Sequence, residues 1–340
     1  AGARVIIADE QSEFGGTLLA SNEKFDGQSA NDWLGAIFSQ LSSLRNVKCL
    51  TRSTVFGYYD HNFLTILERL TDHLGITASS GPRQCMHRVR AKQVVLATGA
   101  LERPLVFAHN DIPGVMQASS VSTYINRFSV APGNKLVLAT NNDNAYRTAI
   151  DWHNAGREVV AVVDSRYSPN GDLVKKTESM GIKIYDGHGL IEAKGSKRVK
   201  SALIAPLSID GTEVIGAVRR LACDLIATSG GWSAAIHLSS HTGAKPVWDE
   251  EIVSFRPGDS KQQECSVGAC KGTFDLHHGL VEGAIGGARA AHCAGFGDGT
   301  VKTSLPNVMQ VGERPQQALF LVPHTLSLIH ISEPTRRRGI

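Results

Sequence analysis

Short apolar runs alternating with amphipathic stretches organise this chain. Val5-Ile6-Ile7 is a β-branched run of the kind that forms a parallel strand buried on both faces by helices, and Asp9 and Glu10 end it. A polar stretch leads to residues 33–44, whose spacing predicts an amphipathic helix capped by Asn31 or Asp32. Residues 46–54 read as one short strand, whereas the periodicity of 63–70 fits strand and helix equally. Residues 91–97 predict a buried strand that closes on Thr98-Gly99, and proline and glycine then punctuate 102–104 and 111–115. A second alternation follows, with a strand at 135–139, a helix at 145–155 closed by Gly156, and a strand at 159–163 ending at Asp164. Further strands are expected at 181–185, 199–205 and 216–220, then a return strand over 223–232. Residues 265–282 read as a last strand, glycine turn and helix, and the small-residue stretch 283–295 continues as helix.

This order predicts an α/β protein with a Rossmann-like fold of the FAD/NAD(P)-binding kind, built from two dinucleotide-binding domains, with the first strand and glycine turn missing. In such a unit an acidic residue at the end of the second strand accepts hydrogen bonds from the adenosine ribose hydroxyls, and the glycine turn lies about 20 residues upstream. Asp9 fits the acidic position. Ala1-Gly2-Ala3 fits the end of the crossover helix with Gly2 as its left-handed cap, so the chain reads as a fragment opening inside a domain. Gly15-Gly16, six residues after Asp9, would let backbone approach the cofactor, as would Thr98 and Gly99. The stretch from Gly268 through Ala269 and Gly272 to Phe274 would set backbone N–H groups at a helix start facing the cofactor. An ordinary strand and loop, a core valine at Val55 and a tight turn at Thr98 are the competing readings. The second alternation has no glycine turn. Thr140-Asn141-Asn142-Asp143-Asn144 stands there instead, and its side chains would crowd a pyrophosphate while Asp143 would repel it, so the second nucleotide site reads as lost; the alternative is that the asparagines adopt left-handed turns and still bind.

Composition narrows the class. A 340-residue chain that is 42% hydrophobic with 34 glycines has room for two domains and a sizeable core. A formal charge of +3 is close to neutral at this size, so neither nucleic acid nor a membrane surface is an expected partner. The six cysteines contain no C-x-x-C pair, which suits free thiols in a reducing cytoplasm, and no metal site is expected. Cys265 and Cys270 are the weak redox or metal candidate. His277 and His278 are adjacent, point in different directions on a helix, and read as structural. No G-x-S-x-G, H-E-x-x-H or phosphate-loop motif supports a hydrolase, zincin or P-loop enzyme. The domains are expected at 1–125 (first), 126–220 (second, degenerate), 221–296 (return to the first) and 297–325, a linker toward an absent folate-binding domain. Residues 326–340 do not continue the pattern and read as an artefactual tail, with a functional basic tail as the competing reading.

The segments VIIADEQSEFGGTLL, TVFGYYDH, VVLATGALERPLVFAHNDIPGVM, TNNDNAYRTAIDW, AVVDSR, DLIATSGGW and VGACKGTFDL, in that order and spacing, resemble the alpha subunits of heterotetrameric sarcosine oxidases over about residues 1–323. The resemblance implies a subunit that holds a noncovalent NAD, with FAD and FMN in the partner subunit or at its interface and beta, gamma and delta subunits as partners. The complex it implies oxidatively demethylates sarcosine to glycine and passes the one-carbon unit to tetrahydrofolate. Carried over, Asp9, Glu10 and Gln11 contact the adenosine ribose, Thr17 and Val55 the nucleotide, and Ala269 and Phe274 the far part of NAD. The isolated chain is expected neither to oxidise sarcosine nor to bind folate, and no catalytic residue identifies itself. The alternatives are a stand-alone FAD-dependent amine or opine dehydrogenase and a non-catalytic structural subunit.

Overall fold

The strand Val5–Ala8 pairs in parallel with Val47–Leu50, in register from Val5 opposite Val47 to Ala8 opposite Leu50. The structure, a computed structural model, describes residues 2–77, 81–312 and 316–324, so the tail expected at 326–340 lies outside the described residues. Contacts divide the chain into two units. The first comprises Ala1–Leu101, Ser233–Glu250 and Ser254–Gln310, and the second Glu102–Trp232, Glu251–Val253 and the segment beginning at Val311. The division falls earlier than the sequence pattern places it. Val115–Gln117 pairs with Leu225–Ser229, and Ala118–Asn126 packs on Tyr146–Asn154, which commits residues 102–125 and 221–232 to the second unit.

In the first unit the expected single strand at 46–54 is two strands. Val47–Leu50 ends and Ser53–Tyr59 begins around Arg52, whose φ of 50° breaks the extended backbone. Ser53–Tyr59, Phe63–Arg69 and Gln84–Arg90 form an antiparallel three-stranded sheet, which settles the ambiguous stretch as strand. Val94–Leu96 pairs in parallel with Glu264–Ser266. Tyr58, Leu64, Val94, Leu96 and Cys270 form a small core here. The helix Ala30–Ser43 is capped by Ser29, whose hydroxyl accepts from the Asp32 amide, rather than by Asn31 or Asp32. The Val5–Ala8 strand is not buried on both faces: Val5 is 42% and Ile6 46% exposed, and its one strand partner among the described residues is Val47–Leu50.

The second unit has three layers. Five parallel strands run in the order Val115–Gln117, Leu225–Ser229, Lys135–Thr140, Glu158–Asp164, Ile184–Tyr185. Alternation sends Leu136, Leu138 and Val162 to one face, where they pack with Val121, Tyr146, Ala149, Trp152 and Val174 of the helices. Val137, Ala139 and Val163 face the other way, onto Leu190, Ala193, Ala202 and Ile204 of the antiparallel sheet that contains His188–Gly195 and Val199–Pro206. Both faces are therefore apolar, which is why these strands read as continuous hydrophobic runs.

The end of this sheet is closed by buried polar groups. Asp164, fully buried, accepts from the Arg166 amide and Nε at Oδ1, at 2.9 and 3.0 Å, and from Arg166 Nη2 at Oδ2, at 2.7 Å. The same Nη2 lies 2.7 Å from Oδ1 of Asp143, and the Tyr146 hydroxyl donates to Asp164 Oδ2 at 2.8 Å. Burial works against the Arg166 charge, but the hydrogen bonds and charge of Asp164, with Asp143, outweigh it and raise its pKa. Burial also pushes the Asp164 carboxyl up, against the pull of Arg166.

Replacing Arg166 by Met is expected to cost about 3–5 kcal/mol of stability at neutral pH, because two buried carboxylates lose their cation. The loss should shrink as the pH falls. A carboxyl whose folded pKa is raised favours the folded state below its unfolded pKa and loses that contribution as the pH rises through the folded value. Denaturant titrations of both proteins at neutral and mildly acidic pH read the difference. An Arg166→Met deficit that stays constant with pH would contradict this account.

Candidate functional site

The residues singled out in the first unit fall into two groups, each knit by its own hydrogen bonds. Asp9 stands at the end of the Val5–Ala8 strand. Its amide donates to the Leu50 carbonyl at 2.9 Å and its carbonyl accepts from Ser53 at 2.8 Å, so the acid is fixed between two strands. Asp9 Oδ1 accepts from the Gln11 amide at 2.8 Å, an Asx turn that leaves Oδ2 without a hydrogen bond from the described residues. Glu10 and Gln11 are exposed; Arg69 donates to the Glu10 carbonyl at 3.3 Å and Arg52 to the Gln11 carbonyl at 2.7 Å. Val55 is half-buried two residues along the strand that Asp9 anchors at Ser53.

The loop that follows is tied down by Phe14, stacked on Phe38 of the Ala30–Ser43 helix with ring centroids 4.7 Å apart. Gly15 then takes a φ of 136°, strained for any side chain, and a Cβ there would meet Leu34 Cδ1 at 2.6 Å and have to displace it. Gly16 begins a short 3-10 turn, and a Cβ there would meet nothing within 4 Å. Gly16 and Thr17 are exposed.

The second group surrounds the Val94–Leu96 strand. Thr98 Oγ1 donates to the Ala235 carbonyl at 2.7 Å, and the Ala235 amide donates to the Gly99 carbonyl at 3.0 Å. Val267 donates to the Leu96 carbonyl at 2.9 Å, which places the glycine turn directly after the strand end. Gly268–Lys271 is a 3-10 turn rather than the start of a helix, and Gly272 leaves it with a φ of 100°. The helix proper is Leu276–Cys293, capped by Asp275, whose carboxylate accepts from the His278 amide. Ala269, Gly272 and Phe274 are half-buried and precede that helix instead of opening it.

One participant escaped the sequence pattern. Glu282 reaches back from the helix to accept from the Gly268 amide at 2.9 Å and from the Thr273 hydroxyl at 2.9 Å, with Lys271 at 3.6 Å. The Gly268 N–H is thereby committed within the chain instead of facing a cofactor. Nothing in the spacing signals this beyond the position of Glu282 two helical turns after Asp275. Both thiols of the Cys265–Cys270 pair are free, and Cys270 is buried with its Sγ 3.1 Å from the Leu96 carbonyl. Burial pushes the Cys265 thiol up, away from thiolate chemistry.

In the second unit, the stretch standing where a glycine turn would lie is filled by its own side chains. Asn141, Asn142 and Asp143 are each at most 5% exposed. Asn141 Nδ2 donates to the carbonyls of Gln317 and Leu319 at 2.9 and 3.0 Å, Asn142 Oδ1 accepts from the Ala145 amide at 3.2 Å, and Asp143 faces Arg166. Asp164, at the strand end corresponding to Asp9, is turned to Arg166 and Tyr146.

No protein-family model matches the chain. Among curated proteins, it is 36% identical over 326 residues to the alpha subunit of sarcosine oxidase from Corynebacterium sp. strain P-1, a match covering 95% of this chain and 33% of that protein. It is 40% identical over 287 residues to the sarcosine oxidase alpha subunit of Rhizobium meliloti strain 1021, covering 84% of this chain and 28% of that protein. A more distant relative is an opine oxidase subunit of Agrobacterium tumefaciens strain Ach5, 24% identical over 273 residues, with 75% of this chain and 53% of that protein covered. Among solved structures, thioredoxin reductase of Lactococcus lactis superposes with a TM-score of 0.62 at 15% identity, covering 86% of this chain and 91% of that one. L-proline dehydrogenase of P. horikoshii gives 0.60 at 16% identity, covering 86% and 51%. The fold is thus the α/β fold of proteins with two FAD/NAD(P)-binding domains. Over most of its length the chain is homologous to the alpha subunit of sarcosine oxidase, and it spans about a third of the length of those relatives.

Proposed function

We propose that this chain is the dinucleotide-holding region of the alpha subunit of a sarcosine oxidase complex, and that its first unit holds NAD. The observation that carries the reading is Asp9: a strand-end carboxylate fixed by Leu50 and Ser53, with one oxygen engaged in the Asx turn and the other available to ribose hydroxyls. Glu10 and Gln11 extend the acidic and polar rim on which the adenosine ribose rests. Gly15, Gly16, Thr17 and Val55 supply the backbone and apolar contacts of the adenine side. Thr98, Gly99, Ala269, Gly272 and Phe274 border the far half, while Gly268 acts through its bond to Glu282 in shaping that turn.

The residues present suit the adenosine half of such a cofactor. When bound, NAD would supply hydride chemistry. The chain's own residues bind and orient: Asp9 accepts hydrogen bonds, and Gly15, at a φ no side chain adopts readily, keeps the loop against its helix. FAD and FMN then belong to the partner subunit or its interface. The complex would comprise beta, gamma and delta subunits in the cytoplasm, demethylating sarcosine to glycine and passing the one-carbon unit to tetrahydrofolate through parts of the protein beyond this chain. Among the described residues no helix is long and apolar enough to cross a membrane.

The test is a pair of variants in the full-length subunit, assembled with its partners. Asp9→Ala with Glu10→Ala is expected to weaken NAD retention about 10- to 100-fold, the loss of one or two charge-assisted hydrogen bonds, with flavin content unchanged. Asn142→Ala in the second unit should leave NAD retention as it was. NAD content unaltered by the double variant would refute the assignment and favour a purely structural subunit.

A second reading, FAD in the first unit of a stand-alone amine or opine dehydrogenase, draws on the match to the opine oxidase subunit. Denaturing the separated subunit, then identifying the released nucleotide, decides between them. The expected product is NAD without flavin; stoichiometric FAD would reverse the choice.

A further inference from the structure

On the three-stranded sheet of the first unit, a thiol, an imidazole and a carboxylate converge at positions where strand alternation calls for apolar side chains. In Gln84–Arg90, Cys85, His87 and Val89 share the more buried face, and Val89 packs against the core of Tyr58 and Leu64. Glu68 stands directly opposite Cys85 in register, and Ile66, opposite His87, is only 4% exposed. The inner face therefore runs from hydrophobic core into Glu68, Cys85 and His87, all half-buried. His87 Nε2 lies 2.7 Å from Glu68 Oε2, and the three ligand atoms all fall within 4.8 Å of one another.

We infer that Glu68, Cys85 and His87 form a site for a borderline-soft divalent cation of the zinc class. One oxygen, one sulfur and one nitrogen match the ligand types zinc accepts, whereas calcium and magnesium take all-oxygen sets. Metal bonds of about 2.0–2.3 Å place tetrahedral ligands about 3.3–3.6 Å apart. Binding thus draws in any separation above that range, none of which exceeds 4.8 Å, and opens the His87–Glu68 contact of 2.7 Å. The charges also balance: on binding, Cys85 gives its thiol proton to solvent, and thiolate plus carboxylate neutralise a dication beside neutral imidazole. Three protein ligands leave the fourth position to water. Cross-strand register, not local sequence spacing, assembles the site. Cys85 and His87 are two residues apart on one strand, and Glu68 arrives from its neighbour across the intervening residues 70–83.

Cobalt(II) is the probe, added to the full 340-residue chain after chelation and dialysis. The expected result is one equivalent bound, with a sulfur-to-cobalt charge-transfer band that added zinc abolishes. Cys85→Ser should remove the band, and His87→Ala and Glu68→Gln should each weaken cobalt binding at least tenfold, with circular dichroism confirming that the variants remain folded. Cys49→Ser, at a half-buried cysteine elsewhere in the unit, should change nothing. The inference is overturned if the wild-type chain binds less than a tenth of an equivalent of cobalt, or if the charge-transfer band survives Cys85→Ser.

Discussion

A guanidinium held between two carboxylates governs the second unit. Arg166 meets Asp164, from the end of one parallel strand, and Asp143, from the turn after its neighbour, so a single side chain joins the ends of adjacent strands. Two buried carboxylates around one guanidinium are stable only when each is held by the cation or by a further donor such as the Tyr146 hydroxyl, since an unpaired buried ion costs several kcal/mol. Matching it fixes the turn at 140–144. Asn141 is then bound to Gln317 and Leu319, and Asn142 to Ser229, so one ion cluster and its hydrogen-bonded surround seal the sheet end at which open α/β folds ordinarily admit ligands. The unit keeps the architecture of a nucleotide fold while filling its opening with its own polar groups.

The first unit is built differently. Its sheets are small, its core is modest, and its geometry rests on loops pinned by individual contacts: Phe14 on Phe38, Asp9 between Leu50 and Ser53, and Glu282 under the Gly268 turn. A site made of loops on short strands takes its shape from these pins. Where the second unit uses buried charge for closure, the first leaves the Asp9 carboxylate half engaged and exposes Glu10 and Gln11.

The legibility of these features in the sequence follows from the range of the forces behind them. The parallel sheet of the second unit was readable because both its faces are apolar, so Lys135–Thr140 and Glu158–Asp164 stand out as hydrophobic runs. The loss of glycines at 140–144 was equally visible, since a turn's chemistry is local. Arg52 was not: a positive φ at a non-glycine residue leaves no mark in hydrophobic periodicity, and one strand was expected where two exist. The contact division at Glu102 differs from the expected boundary at residue 125 because it follows the pairing of Val115–Gln117 with the distant strand Leu225–Ser229. The Gly268 turn was located correctly along the chain, but its helix start was set too early. Asp275 caps the helix, and Glu282 takes an amide that looked free.

The Val5–Ala8 strand carries one further implication. Hydrogen-bonded to Val47–Leu50 along one edge, it presents Val5 and Ile6 to solvent, and among the described residues no strand pairs with its other edge. A short apolar strand with an unsatisfied edge is a template for any other extended chain, and proteins ordinarily cover or charge such edges. Arg4, exposed immediately before it, is the nearest local deterrent. By that rule the edge beside Ile6 is the place in the first unit where a further extended strand would pair, continuing the sheet that Val47–Leu50 begins.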